Sequence, residues 1–455
     1  MTNLLTKPDR LFLLLAIPLG VLLSLVTIPF GGGDEQHHYQ RTAELAYFHG
    51  LSRKSPAPAG IVRFRREALA TFVRLSPNGY SRQEYARLAA IPLDAARPDT
   101  LTMNIFTVHH PINYFVQSTA FRIAAEMNAR PLTLLYVARL AGMLAGVALL
   151  WLAIRVTPSQ KFTMAALALL PGIVDARSTL NADALTSGFA FLFIAVCLRA
   201  IVRTARITSN ELALIAIAAL AIASAKGAYI PLVFLTLALP AVRFSSAGYR
   251  AAGVAACIVP ATLCGLGWML AVKHYLFTGY TYRTLAGQPV PDQQLSFILH
   301  EPLAYARIVS RTLFETSFLG TTLLGLIGEF SYSNAVLTNC IYGALGTLCL
   351  TTTLVDDPGS TARCSYQARV LAFGLALTCV LAALTLLYVQ WCEVRAPIVG
   401  GFQGRYFLPV LPLVALATPI RVTVRKDLAG RALLALGIIG AIPATSTVQE
   451  FLARW

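Results

Sequence analysis

Three acidic residues stand at the edges of long apolar runs. Asp34 and Glu35 follow a run that ends at Phe30 and three glycines, and Asp183 occurs in "ARSTLNADALTSG" before another run. A positioned carboxylate can remove the proton of a reacting hydroxyl as a general base. We therefore regard Asp34, Glu35 and Asp183 as candidate catalytic residues. The alternatives are solvated interface residues for the first two, and for Asp183 a carboxylate that favours a helix N-terminus.

Two cations lie in equally apolar surroundings. Lys226 interrupts "AIASAKGAYIPLVF", and Arg405 with Tyr406 opens the apolar end of "GGFQGRYFLPVLPL". A charge at membrane depth is costly and usually has a partner or a ligand, and a guanidinium binds phosphate through two hydrogen bonds. We predict that Lys226, Arg405 and Tyr406 bind a donor phosphate. The alternatives are a lysine that extends its ammonium to the interface and a salt bridge from Arg405 to Glu393 or Glu329.

Four more polar residues are candidates for substrate binding, namely His37, His38, His110 and Gln403. Asp34 and His38 are spaced i, i+4, which suits a cation, but the plain interpretation is that these histidines are loop residues near lipid headgroups. The eight cysteines contain no CxxC pair and lie mostly within apolar runs. We predict no metal site, no disulfide framework and no definite cofactor, and a divalent metal ion stays open as an alternative.

The composition indicates which elements must position these residues. Of the 455 residues, 56% are hydrophobic and only 13% are charged, whereas soluble domains average about 45–50% apolar and about 25% charged. The sequence therefore predicts an all-α polytopic membrane protein. The net charge of +16 arises from arginines in the connections between apolar runs, as membrane topology requires. We expect no nucleic-acid partner.

Eleven membrane-spanning helices are expected, within a range of 10–13, because hydrocarbon offers no water to unpaired backbone groups. The segment 211–242 could instead form one broken helix. The predicted spans are 11–30, 133–154, 162–178, 184–202, 211–225, 228–242, 251–276, 335–354, 371–390, 406–420 and 432–450.

The arginines predict the orientation of the chain. With a cytoplasmic N-terminus every inside connection is basic, whereas the short connection 179–183 contains Asp183 and no Lys or Arg. We expect a single integral domain, 1–455, in the bacterial inner (cytoplasmic) membrane. Its two large periplasmic regions are 31–132, a loop with interfacial helices, and 277–334, a juxtamembrane segment.

Within the first periplasmic region the sequence distinguishes three parts. "SRKSPAPAG" is expected to be an irregular turn, and "VRFRREALATFVRLSPNGYSRQEYARLAA" is expected to form short helices. Residues 109–131 have their apolar side chains on one helical face and are interrupted by Arg122 and Glu126. This pattern predicts an amphipathic helix in the membrane interface, because an additional span would place the later basic connections outside.

This layout resembles the GT-C superfamily of membrane glycosyltransferases. It is more closely similar to a bacterial family of predicted membrane proteins, DUF2142. The resemblance runs from about residue 28 to residue 413 and rests on five segments in order: "PFGGGDEQHHYQRTAELAYFHG", "LPGIVDARSTLNADALTSGFAFLF", "AKGAYIPLVFL", "DQQLSFILHEPLAYARIV" and "GGFQGRYFLPVLPL".

The resemblance implies a polyprenyl-phosphate-linked sugar donor and transfer to a glycan or lipid acceptor of the cell envelope, such as O-antigen or lipopolysaccharide, on the periplasmic face. Asp34 matches the acidic residue of the first outer loop in GT-C enzymes, and Asp183 matches that of the second. Lys226 and the Arg405–Tyr406 pair match positions that the narrower family also presents. The chain departs from many relatives at His109–His110–Pro111, where they have "PPL".

The expected reaction follows from the chemistry of such a donor. Its leaving group is an anionic phosphate ester, which needs cations rather than a general acid, so Lys226 and Arg405 would stabilise it. The acceptor hydroxyl needs a base, for which Asp34 is the candidate. One base and one displacement predict inversion at the anomeric carbon, and two close carboxylates would allow retention. The alternative function is a transporter or flippase for a lipid-linked sugar.

Overall fold

The computed structural model describes residues 2–48, 50–51, 54–75, 81–102, 105–276, 289–314, 318, 320, 364–417 and 426–440. These residues are predominantly helical. The α-helices are α1 Thr2–Leu5, α2 Pro8–Val26, α3 Glu35–Ala46, α4 Ala59–Leu75, α5 Arg82–Ala89, α6 Phe115–Glu126, α7 Pro131–Val156, α8 Lys161–Ala168, α9 Pro171–Ser178, α10 Asp183–Val202, α11 Ser209–Ala225, α12 Ala247–Leu276, α13 Pro291–His300, α14 Pro302–Phe314, α15 Tyr366–Trp391, α16 Leu411–Ala417 and α17 Lys426–Gly440. Short 3₁₀ helices span Ile105–Val108, Pro111–Asn113, Gly227–Ala238, Ala241–Arg243 and Gly404–Val410.

Five helices among the described residues are long and apolar enough to cross a membrane: Pro8–Val26, Pro131–Val156, Asp183–Val202, Ala247–Lys273 and Tyr366–Trp391. Each overlaps a span predicted from the sequence, so the prediction of a helical, multi-pass membrane protein is confirmed. The total of eleven spans stays a prediction, because the other segments are shorter, broken or outside the described residues.

The structure interrupts the helix in two predicted membrane segments. Segment 162–178 divides into α8 and α9 at Leu169, because Pro171 has no backbone N–H and begins a new helix. Segment 211–242 is a helix that breaks at Lys226, whose backbone is extended (φ −149°, ψ 132°). A 3₁₀ helix, Gly227–Ala238, continues beyond that break. The break falls where the sequence places the boundary between spans 211–225 and 228–242, and the choice between two spans and one broken helix stays a prediction.

The three remaining predicted spans lie near the C-terminus. Segment 406–420 begins as the 3₁₀ helix Gly404–Val410 and continues as α16. Segment 432–450 overlaps α17, and its end lies outside the described residues. The predicted span 335–354 lies wholly outside them.

The region 31–132, which we name the outer region after its predicted location, folds against the ends of the helices and has its own core. The predicted short helices are present as α4 and α5. Edge-to-face contacts join Phe30 to Tyr39 and to Phe64 at centroid distances of 5.7 Å. Leu134 and other residues at the start of α7 belong to the same core. The outer region is therefore packed directly onto a candidate span.

The expectation of an irregular turn at "SRKSPAPAG" is wrong. Lys54–Pro58 forms strand β1, which pairs antiparallel with β2, Pro98–Thr102, in a register that places Lys54 opposite Thr102. Proline usually argues against a strand because it cannot donate to a ladder. A ribbon of two strands has an unpaired edge on each side, so its prolines are tolerated.

The segment 109–131 forms a short helix rather than a span. α6 has only 12 residues, and it packs against α3 and α7. Phe115, Ile123 and Met127 remain largely exposed, and Arg122 pairs with Glu126 at 2.7 Å. This exposed apolar edge on a packed helix is the pattern expected of a helix that lies along a membrane surface.

In the second region predicted to lie outside, 277–334, the described helices are α13 and α14. Gln294 in α13 donates to the carbonyl oxygens of Tyr388 and Glu393, at 3.2 Å and 3.3 Å, and accepts from the Arg395 amide at 2.9 Å. These bonds attach α13 to the end of α15 and to the chain segment that leads to Arg405.

Candidate active site

Four charged side chains from four distant segments meet at one end of the helix bundle. Arg405 Nη2 lies 3.0 Å from Asp34 Oδ2, and Arg405 Nε lies 3.6 Å from Asp183 Oδ2. The Lys226 ammonium pairs with the other oxygen of Asp183. The structure thus brings Asp34, Asp183, Lys226 and Arg405 into one continuous network of alternating charge. We call these four residues the charge cluster.

Asp34 reaches the cluster because of the backbone around it. It precedes the first residue of α3 and has a left-handed conformation, with φ +60°, which Asp tolerates better than most residues. Just before it, Gly32 lies against the connection between α9 and α10: a Cβ atom there would be 2.6 Å from the Thr179 Cβ. The glycines therefore allow the first outer loop to approach the second closely.

Asp183 is the first residue of α10, but Asn181 rather than Asp183 caps the helix. The Asn181 side-chain oxygen accepts hydrogen bonds from the amides of Asp183 and Ala184, at 2.7 Å and 3.2 Å. The Asp183 carboxylate is therefore directed to Lys226 and Arg405. The alternative interpretation, in which this carboxylate only favours the helix N-terminus, does not account for both ion pairs.

Lys226 occupies the break between α11 and the 3₁₀ helix Gly227–Ala238. The last carbonyl of α11, that of Ala225, accepts a hydrogen bond from Asn113 Nδ2 at 2.6 Å. Asn113 is fully buried and comes from the outer region 31–132. The outer region thus fixes the helix end that presents the ammonium.

Arg405 and Tyr406 begin the 3₁₀ helix Gly404–Val410. Gly401 has φ +79°, and a Cβ atom there would lie 2.9 Å from the Trp391 ring, so the turn before the arginine requires glycine. The Tyr229 hydroxyl donates to the Tyr406 carbonyl at 3.0 Å. Lys226 Nζ and Arg405 Cζ lie over the Tyr406 ring, at 5.4 Å and 5.9 Å from its centroid, where the ring face attracts cations.

The four side chains differ in their access to solvent. Asp183 is 9% exposed, Arg405 is 17% exposed and Lys226 is 18% exposed, whereas Asp34 is 35% exposed. Asp34 is therefore the carboxylate that an incoming molecule reaches most easily. Asp183 lies beneath the two cations and holds them in place.

The expected catalytic role of Glu35 needs correction. Glu35 is fully buried, and its carboxylate binds the Arg139 guanidinium through two contacts of 2.7 Å and 2.6 Å. One carboxylate oxygen also accepts the Leu180 amide at 2.8 Å. A carboxylate so enclosed cannot meet a substrate. Glu35 instead connects the outer loop to α7 and to the connection before Asp183, so it acts as a positioning residue.

Arg139 is the site-supporting residue that the sequence analysis overlooked. Besides Glu35, its guanidinium donates to the carbonyl oxygens of Ser24, Thr27 and Ile28, at 3.1, 2.7 and 2.9 Å. These carbonyls end α2 and lead into the glycines. The signal was available in the sequence, since a charged residue inside an apolar span usually has a specific partner.

Of the predicted substrate-binding histidines His37, His38 and His110, only His38 shares a hydrogen-bond partner among the described residues with His109, which was not among the predicted residues. His38 is buried, and its Nδ1 lies 2.6 Å from the Tyr114 hydroxyl, while His109 Nδ1 lies 3.1 Å from the same oxygen. Burial lowers the pKa of His109 to about 3, and the charge of Lys226 adds to the effect while Asp183 opposes it. Burial likewise lowers the pKa of His38. His38 and His109 are therefore neutral near pH 7 and lie close to the charge cluster.

His37 and His110 contact other groups than the Tyr114 hydroxyl. The His37 ring stacks on Phe106 at a centroid distance of 5.4 Å, and burial, with a contribution from Arg65, lowers its pKa to about 4. His110 Nδ1 accepts the Ile112 amide at 3.2 Å. The His110 ring contacts Trp268 edge-on. His110 thus holds the chain bend before α6.

Gln403 is exposed just before Gly404–Val410, and its carbonyl accepts the Tyr406 amide at 3.0 Å. Within the described part of the chain no group of three or more His, Cys, Asp or Glu side chains is arranged to hold a metal ion. The charge cluster itself combines two carboxylates and two cations, so its charges balance.

Comparison with known proteins gives one match. The protein-family model described as "Predicted membrane protein (DUF2142)" matches residues 17–414. That range contains all four residues of the charge cluster. No curated protein matches the chain, and no solved structure matches it.

Proposed function

The chain belongs to the DUF2142 family of predicted membrane proteins, and from this premise we propose that it is a membrane glycosyltransferase of the GT-C type. It would transfer a sugar from a polyprenyl phosphate to a glycan or lipid acceptor of the cell envelope. The charge cluster would face the periplasm, and the chain would lie in the bacterial inner membrane.

One observation supports this proposal above the others: a partly exposed carboxylate, Asp34, lies 3.0 Å from a half-buried guanidinium, Arg405. A glycosyl transfer from a phosphate-linked donor needs a base for the acceptor next to cations for the leaving group. Lys226 lies on the other side of Asp183. The cluster therefore contains both functions within a few ångströms.

In the proposed reaction the acceptor hydroxyl gives its proton to Asp34 as its oxygen attacks the anomeric carbon. The bond from that carbon to the phosphate oxygen breaks, and the polyprenyl phosphate leaves with the electron pair. Arg405 and Lys226 stabilise the developing charge. Asp183 binds both cations and keeps them in place, so we assign it a positioning role. A single displacement with one accessible carboxylate favours inversion of the anomeric configuration.

The test is transfer of radioactive sugar from a polyprenyl-phosphate donor to endogenous acceptors in membranes that contain the full-length chain. We expect Asp34→Asn to reduce the rate about 10²–10⁴-fold, the usual contribution of a general base, while donor binding persists. Arg405→Ala should instead weaken donor binding. Glu126→Gln, in an exposed pair on α6, is the matched control and should behave like the unmodified protein.

A near-normal rate for Asp34→Asn would remove it from the role of base. Unchanged donor affinity in Arg405→Ala would contradict phosphate binding by the cluster. Movement of the intact lipid-linked sugar across vesicles, without transfer of the sugar, would favour the alternative of a flippase.

A further inference from the structure

A cavity of about 620 Å³ lies between α4 and strand β2 in the outer region. Its size is within the range of sites for small molecules, about 300–1,000 Å³. Three arginines line it, Arg65, Arg66 and Arg74, and no Asp or Glu is among the described residues of its lining. We call it the α4–β2 cavity.

The spacing along α4 places basic and apolar groups side by side. Arg66 and Arg74 are separated by two helical turns, and Leu69 and Val73 lie between them on the same face. Leu101 of β2 completes the apolar wall. Val73 is 69% exposed although it is a large aliphatic residue. The cavity thus offers cations next to an open hydrocarbon surface.

The three guanidiniums differ in the partners that they have. Arg74 pairs with Glu84 of α5. Arg65 Nε lies 3.4 Å from the Gln36 carbonyl, and Glu44 acts on it electrostatically. Arg66 is exposed and forms no ion pair or hydrogen bond with any residue that the structure describes. Arg66 is therefore the arginine most available to a ligand.

The walls of the cavity contact helix α3, which begins directly after the candidate base Asp34. Gln36, which Arg65 contacts, lies in the first turn of α3, two residues after Asp34. On the opposite wall, the Thr102 carbonyl accepts a hydrogen bond from Gln40 of α3. Both walls of the cavity are therefore in contact with the helix that follows Asp34.

From these contacts we propose that the α4–β2 cavity binds a phosphate group of the acceptor, with adjoining hydrocarbon on Leu69, Val73 and Leu101. That the phosphate belongs to the acceptor rests on the proposed function, whereas the binding of a phosphate group rests on the cavity alone. Arginine is suited to the role because its guanidinium makes paired hydrogen bonds to phosphate oxygens. The phosphate belongs either to a membrane lipid or to a water-soluble compound.

Binding to the purified full-length chain in detergent tests the proposal by calorimetric titration. The probes are dihexanoyl phosphatidate, inorganic phosphate and the phosphate-free dihexanoylglycerol. Arg66→Gln is compared with the control Arg63→Gln, because Arg63 is on the same helix but does not line the cavity and pairs with Glu67 on the surface. All titrations are repeated with Arg405→Ala, so that phosphate bound at the charge cluster is recognised.

We expect Arg66→Gln to weaken phosphatidate binding about tenfold or more, the usual effect of losing one hydrogen bond to a charged group. Arg63→Gln should not change it, and the difference should persist with Arg405→Ala. Tighter binding of phosphatidate than of inorganic phosphate identifies a lipid, whereas equal binding contradicts the hydrocarbon contact and identifies a soluble phosphate compound.

Equal affinities in Arg66→Gln and Arg63→Gln, or equal binding of dihexanoylglycerol and phosphatidate, would overturn the proposal. Sugar transfer is measured separately in the same preparations. Transfer without Arg66-dependent binding refutes only the cavity, and Arg66-dependent binding without any transfer refutes only the proposed function.

Discussion

Replacement of Glu35 by Ala should destabilise the protein rather than remove a catalytic group. The side chains of Glu35 and Arg139 are both fully buried, and two contacts of 2.6 Å and 2.7 Å join them. The change leaves the guanidinium with the three backbone carbonyls that end α2. It also leaves the Leu180 amide without its acceptor.

The magnitude follows from these contacts. Breaking a buried ion pair by removing one partner costs about 3–5 kcal/mol. The three remaining carbonyl acceptors compensate Arg139 in part, which lowers the cost, and the orphaned Leu180 amide adds about 1–3 kcal/mol. We therefore expect a loss of about 3–5 kcal/mol in the free energy of unfolding.

The assay is unfolding of the purified protein in bicelles by titration with sodium dodecyl sulfate. A double-mutant cycle with Arg139→Ala isolates the pair, and the double variant should be more stable than the sum of the single effects predicts, by about 0.5–3 kcal/mol. Glu126→Ala, in an exposed pair, is the control and should change stability by less than about 1 kcal/mol.

Two results would refute this reasoning. One is a cost below about 1 kcal/mol for Glu35→Ala, which a fully buried pair does not allow. The other is a Glu35→Gln variant that is as stable as the unmodified protein but has lost transfer to the same extent as Asp34→Asn. The second result would return Glu35 to the list of catalytic residues.

Two further predictions concern packing and pH. Gly32→Ala should lower both stability and transfer, because its Cβ would lie 2.6 Å from the Thr179 Cβ. Gly50→Ala should be tolerated, because its Cβ would have no atom of the described residues, its chain neighbours aside, within 4 Å. Thermal unfolding of both variants measures this difference. Stability should also fall as the pH decreases from about 6.5 towards 4, because the folded-state pKa values of His37 and His109, about 4 and about 3, lie below the unfolded value of about 6.5. The unfolded chain then binds more protons. His109→Gln should reduce that slope in unfolding curves recorded at several pH values, and an unchanged slope would contradict the role of His109 burial.

Charged residues in apolar surroundings were the most informative feature of the sequence. Asp34, Asp183, Lys226 and Arg405 were selected because charge near a membrane needs a partner, and the structure brings all four together. The alternative for Arg405 was a salt bridge to Glu393 or to Glu329, of which Glu329 lies outside the described residues. Arg405 pairs instead with Asp34 and Asp183, which only the tertiary fold could reveal.

The different fates of Asp34 and Glu35 were not predictable from the sequence. The two residues are adjacent, yet one side chain is 35% exposed and the other is fully buried. The difference depends on the left-handed backbone at Asp34 and on Arg139, which is 104 residues away from Glu35. Sequence patterns describe local periodicity, whereas these two determinants depend on packing.

Element boundaries were predictable where apolar runs were long and uninterrupted, as for α7 and α10. They failed where a single residue changes the backbone. Pro171 divides one predicted span, whereas α11 ends at Ala225, as predicted for the span 211–225. Strand β1 was not predicted because proline argues against a strand within a wider sheet, where it removes a ladder hydrogen bond. A ribbon of two strands tolerates the prolines.

The ion pair between Asp34 and Arg405 joins residues 371 positions apart. The ribosome therefore releases both carboxylates and Lys226 long before it releases the arginine. Until then the nascent chain contains two carboxylates and one ammonium of the charge cluster. Arg405 balances the remaining negative charge. The centre is thus completed only near the end of translation, and a chain that terminates before Gly404 lacks this balance.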